Sequence, residues 1–170
     1  MNKKLTLTVL FAIFTVAITY SQDKFKLPSQ NWSLSINLDG FKIESKKSSE
    51  DGSAFQLMAT NKKKGLTLSL FIEPAEVAGD KLVCRDYYWA KGEKSPLAKE
   101  NVKKFETDTL AIVEHDTKEY NGQKINYHSL NAYLVNAGYW VDVHISKIGY
   151  QEADQSVFEK IWKSVAIVAE

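Results

Sequence analysis

The chain of 170 residues carries 22 lysines and arginines against 21 aspartates and glutamates, a formal charge of +1, with 44% hydrophobic and 12% aromatic residues. That is the size of one ordinary domain, with enough apolar and aromatic side chains to fold. The balanced charge removes the basic surface that a nucleic-acid binder needs, so no nucleic acid is expected as a partner, and a single cysteine removes any internal disulfide.

The amino terminus places Lys3 and Lys4 before an uncharged run, Leu5–Ile18, and then Thr19 and Ser21 ahead of Gln22. This order reads as a cleavable secretory signal peptide over residues 1–21, so the protein is expected to be exported, periplasmic or secreted. A membrane span needs about 20 apolar residues. This run is shorter and holds Thr6, Thr8 and Thr15, so no span is expected in the mature protein. A lipid anchor would need a cysteine at the cut, and the one cysteine is Cys84. Residues 22–31 read as a polar leader and residues 32–170 as a single domain, expected to be a monomer.

From Trp32 the chain alternates with the period of a sheet. WSLSINL and FKIESKK flank Asp39-Gly40, a pair that favours a type I′ turn, so a hairpin is expected with Leu38 opposite Phe41 and Ile36 opposite Ile43. Ala54–Thr60 and LTLSLFIE supply two further strands around a lysine-rich turn, Lys62–Gly65. DKLVCRDYYWAK breaks the alternation and reads as a helix with Asp80 as N-cap, Gly92 past its end, and Val83, Cys84, Tyr87 and Tyr88 inward. Ser95 followed by Pro96 suggests a second short helix with Leu97, Val102 and Phe105 inward.

Two strands then meet through Asn121-Gly122, another type I′ signal. Counting back from that turn sets Val113 opposite Leu130, Ala111 opposite Ala132 and His115 opposite His128. The chain turns again at Ala137-Gly138 into YWVDVHISK. A two-residue loop there aligns Leu134 with Val141, Ala132 with Val143 and Leu130 with Ile145 in one apolar face, whereas a three-residue loop swaps every partner. The first is preferred because the face is continuous. A last helix, about Glu152–Trp162, buries Val157, Phe158, Ile161 and Trp162, and SVAIV closes the chain as an edge strand.

The order of elements predicts an α+β domain with an antiparallel sheet and helices packed on it. A secreted domain that opens with W-x-L-x-I and G-F-K-I, crosses through a helix, and ends in a meander, a helix and an S-V-x-I strand resembles the PsbP-like superfamily. The resemblance implies an α/β/α sandwich around a central antiparallel sheet of about six to eight strands flanked by helices. It also implies a binding or assembly role without a shared catalytic constellation, and no site residue carries over.

Function then rests on side chains. There is no G-x-S-x-G elbow, H-E-x-x-H pair or Gly-rich phosphate loop. A hydrolase or transferase would have to use Cys84 or His144, and Cys84 shares a stripe with Val83, Tyr87 and Tyr88, where a small core residue is the common role. His115 across from His128 could share a zinc ion, yet zinc takes three or four ligands and Lys147 would stand beside His128. In the alternative register His128 and His144 become diagonal neighbours with Asp142 close by.

The other face of the same strands carries an aromatic and aliphatic patch, Leu110, Tyr133, Val135 and Trp140, and a polar field, Asn131, Asp142, His144, Ser129, Ser146 and Glu114. Such a mixture suits a ligand or peptide site built from Tyr133, Trp140, Asn131, Asp142 and His144, unless Tyr87, Trp89 or Trp162 covers it. Arg85 and Trp89, off the inner stripe of the first helix, form a candidate surface for a protein partner. The expectation is an exported binding module for a protein partner or a small ligand, not an enzyme, with no cofactor. A structural subunit of an envelope complex is the alternative in a third class.

Overall fold

The computed structural model describes residues 22–170; the expected signal peptide and its cut lie outside the described residues. Seven strands form one antiparallel sheet. From edge to edge they are β3 (Lys42–Ser48), β4 (Phe55–Asn61), β5 (Leu66–Pro74), β9 (Tyr139–Ile148), β8 (Gln123–Asn136), β7 (Ala111–Tyr120) and β6 (Glu100–Glu106). A second sheet holds β1 (Asp23–Lys26), β2 (Trp32–Ile36) and β10 (Ala166–Ala169) in the order β1-β2-β10. Helix α1 (Lys81–Gly92) packs on β8 and β7, and α2 (Gln155–Trp162) follows a single 3-10 turn at Glu152–Asp154. Among the described residues no helix is long and apolar enough to cross a membrane.

The α+β class and the large antiparallel sheet agree with the sequence. The expected helices do flank that sheet on both sides, but the layers are not a plain sandwich, because a small second sheet shares one side with α2. Phe25, Leu34 and Ile36 of the small sheet join Phe158 and Ile161 of α2 against Leu57, Leu68, Leu70, Leu130, Val143 and Ile145, all buried. A second, smaller core lies under α1, where Cys84 meets Val113, Tyr133 and Trp140.

The expected hairpin at Asp39-Gly40 is therefore corrected. Phe41 N donates to Leu38 O at 2.8 Å, but of the turn's residues only Gly40 has positive φ, and the strands part into different sheets. The groups that a hairpin ladder would use are taken elsewhere: Leu38 N donates to Asp23 Oδ2 at 3.3 Å, and β2 pairs with β1 along one edge and with β10 along the other. With both edges occupied, β2 has no ladder left to offer β3. β2 is buried on both faces, and β3 becomes an exposed edge with Ile43 43% exposed.

Three further expectations change. Asp23–Lys26, read as part of a polar leader, is strand β1, with Phe25 and Leu27 buried. The second short helix is strand β6, whose ladder with β7 supplies the hydrogen bonds that so short a helix could not. Val102 and Phe105, expected inward, lie on this lysine-bearing edge and are exposed. α1 starts as expected, with Asp80 Oδ1 accepting from Leu82 N and Val83 N, but Val83 faces out and Cys84 alone is fully buried.

Both tight turns of the meander form as the sequence predicts. Asn121 and Gly122 have positive φ and Tyr120 pairs with Gln123; Ala137 and Gly138 do the same, and Leu134 pairs with Val141. Between them lies a bulge that counting from the turn misses. Asn126, at φ 42°, is the extra residue, so the pairing steps by one between Glu119/Lys124 and Thr117/Tyr127. A shift of one residue sends every later side chain to the other face. His115 consequently faces Ser129, Val113 faces Asn131, and Asp116 faces His128.

Candidate functional site

The bulge decides the composition of both sheet faces. On the α2 side, His128 Nδ1 lies 2.7 Å from Asp116 Oδ1, and its ring stacks on Tyr150 at 4.1 Å. On the α1 side, His115 meets the edge of Trp89 at 5.8 Å. The two histidines thus stand on opposite faces, and the metal pair His115/His128 is corrected. Among the described residues no group of three or more His, Cys, Asp or Glu side chains is placed to hold a metal ion.

Leu110 and Glu114, assigned from sequence to the polar face, also change sides. Leu110 joins the large core, and Glu114 accepts from Lys103 Nζ at 3.1 Å near His128. His115 and Val113 take their places beneath α1.

The α1 face carries a cavity of about 260 Å³. Four of the five residues proposed from sequence as a ligand site line it together: Asn131, Tyr133, Asp142 and His144. Register explains the convergence, since β8 and β9 pair Asn131 with His144 and Tyr133 with Asp142. Trp140, the fifth, is fully buried in the small core, with its ring 4.8 Å from Tyr87 and 5.7 Å from Tyr88. Of the residues foreseen as cover for that patch, Tyr87 supplies it, joined by Tyr88.

The polar residues form a directed line. Asn131 Nδ2 donates to Asp142 Oδ1 at 2.9 Å, which leaves Asn131 Oδ1 as an acceptor 3.1 Å from His144 Nδ1. The proton of His144 therefore sits on Nδ1, and Nε2 accepts from the Tyr127 hydroxyl at 3.3 Å. Burial pushes the His144 imidazole down to about 4, so it is neutral at pH 7. Burial pushes the Asp142 carboxyl the other way, up to about 7, against the opposing hydrogen bond from Asn131 and with help from the Glu73 charge. Glu73 in turn accepts a hydrogen bond from the Tyr88 hydroxyl.

Sequence reasoning missed the cavity's other end. His115, 9% exposed, is pushed down to about 4 by burial and then by the Lys99 charge, and its Nδ1 is wholly buried without a hydrogen-bond partner. Lys99 Nζ donates to Gly92 O at 2.8 Å and lies 4.2 Å from the centre of the Trp89 ring. Trp89, read as an outward partner anchor, is half-buried and forms cavity wall. Arg85, its proposed companion, is largely covered and donates through Nε to Asp86 Oδ1 at 2.9 Å.

The sequence carried no signal for His115, because Ile125 and Tyr127 keep one parity across the extra residue at Asn126.

Neither residue of the enzyme alternative is poised for catalysis. Cys84 is fully buried, and desolvation, followed by the charges of Asp142 and Glu73, pushes its thiol far up, so no thiolate is available. Both nitrogens of His144 are already committed to Asn131 and Tyr127.

No family model and no curated protein matches the sequence. Among solved structures, the chain is similar to the solution structure of cyanobacterial PsbP (CyanoP) from Synechocystis sp. PCC 6803. The TM-score is 0.55 and the identity 13%, over 95% of this chain and 99% of that one. The chain has a PsbP-like fold, in agreement with the resemblance seen in the sequence.

Proposed function

We propose that this PsbP-like protein is an exported, non-catalytic binding module that holds a small molecule in the cavity beneath α1. One observation carries the reading. A line of hydrogen bonds from Tyr127 through His144 and Asn131 fixes Asp142 in the wall of a cavity whose far end is lined by the neutral His115 ring. Aromatic walls with a few oriented polar groups are the usual make-up of a ligand pocket. That Cys84 is sealed in the core and His144 is committed on both nitrogens supports a binding role, and the amino-terminal pattern supports export.

Native mass spectrometry of protein purified from its own cell envelope tests this. Extra mass that leaves on denaturation, and that is lost from an Asn131→Leu variant, is the expected result. A bare protein mass in both would refute a tightly held occupant.

A second reading is favoured by a groove of about 670 Å³ along the unpaired edge of β10, lined in part by Leu134, Val135, Val165 and Ile167. Such an edge suits an extended segment of an envelope partner that adds a strand. Crosslinking from position 167 to a partner, undiminished by the Asn131 variant, would favour it.

A further inference from the structure

Resting on the small-molecule reading of this cavity, we propose that its occupant is a linear primary amine seated with its ammonium group on Asp142. Asp142 is the one carboxylate in the cavity wall. Its Oδ1 accepts from Asn131, and no lysine or arginine among the described residues pairs with it. The groups around it are Asn131 and Tyr133 on β8, Phe71 and Glu73 on β5, and Cys84 and Tyr88 on α1. That shell contains a second carboxylate, and the cations near it, Arg85 and Lys91, are held by Asp86 and the Tyr87 ring and not by Asp142.

The charge it lacks is the charge an ammonium would bring, and a desolvated carboxylate is stabilised most by a paired cation. Tyr88 and Tyr133, stacked at 5.6 Å with their planes 12° apart, add aromatic rings at this end, which also favour a cation. An anionic ligand would meet Asp142 in the wall, with the Glu73 charge adding to the repulsion.

Shape and the opposite end narrow the class. His115 faces Ser129 and Asp142 faces Tyr133, so the two ends are two strand spacings and four residues apart, about 16 Å between backbones. The cavity's 260 Å³ corresponds to roughly nine waters of liquid, which over that length leaves room for a thin chain. Lys99 stands near His115 and excludes a second ammonium there. The neutral His115 ring and Ser129 line that end, which suits an uncharged, hydrogen-bonding tail on the ligand. The fitting ligand is an amine with a neutral hydrogen-bonding tail.

The test is a side-chain NMR titration of the purified protein with aminohexanol, hexanediol and hydroxyhexanoate, which share a chain length and differ in charge. Saturable shifts of Asn131 and His144 with aminohexanol, at least about tenfold tighter than with hexanediol, support the proposal. So does reduction of aminohexanol binding to the hexanediol level in Asp142→Asn. Equal binding of the diol or the hydroxy acid, or full retention of amine binding in Asp142→Asn, would overturn the amine while leaving the cavity as a ligand site. No response to any of the three would overturn the cavity reading as well. The comparison of amine with diol on the unaltered protein needs no variant to fold.

Discussion

Asp142→Asn should make the protein more stable, and only above a definite pH. The Asp142 carboxyl is raised from 3.8 to about 7 by burial, so the folded state keeps a proton that the unfolded chain has already released. Below pH 4 both states hold that proton and the residue costs nothing. As pH rises from about 4 to 7 the unfolded state gains by ionising, stability falls, and above about 7 the loss stays constant.

That distance on the pH scale corresponds to about 4 kcal/mol, and allowing for local relaxation about 2 to 4 kcal/mol is expected. Asparagine keeps the shape and an oxygen to accept from Asn131, yet never ionises. Urea unfolding of both proteins at pH 4, 6 and 8 should show curves that coincide at pH 4 and separate progressively, with the variant more stable. His115 and His144 titrate in both proteins and cancel in the difference. An equal or less stable variant at pH 8 would refute the claim that Asp142 is held there at a cost.

The same environment predicts that His115 and His144 titrate near 4 by NMR, with His144 carrying its proton on Nδ1; midpoints near 6.5 would contradict the burial that lowers them. Because their folded-state values lie below the ordinary 6.5, stability should fall as pH drops from 6.5 towards 4, and His144→Gln should flatten that acid limb. Trp140→Ala removes a fully buried ring packed between Tyr87 and Tyr88 and should cost about 3 to 5 kcal/mol in urea unfolding; a loss below about 1 kcal/mol would mean the ring is not core. Asn126→Gly should leave stability nearly unchanged, whereas Asn126→Val should cost about 1 to 2 kcal/mol at its positive φ, and an indifferent valine would argue against the bulge.

What could be read in the sequence follows from how local each cause is. The turns at Asn121-Gly122 and Ala137-Gly138, the Asp80 cap and the closing edge strand depend on neighbouring residues, and all four appear in place. The parting of β2 from β3 depends on β10, more than a hundred residues away, which with β1 occupies both edges of β2. Residues 95–106 have a helix-start signal, but pairing with β7 overrides it. The site divides along the same line. Asn131, Asp142 and His144 were found because the two-residue turn next to them fixes their register, while His115 was lost across the single extra residue at Asn126.

The placement of the two cores has a consequence for how the molecule opens. The large core ties α2 and the small sheet to one side of the seven strands, whereas the other side is covered by α1 over a much smaller set of buried side chains. Sub-global openings follow the weakest packed unit, so α1 should detach at a free energy well below that of global unfolding. Its amides would then exchange with solvent while those of β5, β8 and β9 remain protected. Such an opening uncovers the cavity with the sheet intact, so a ligand can enter or leave without global unfolding.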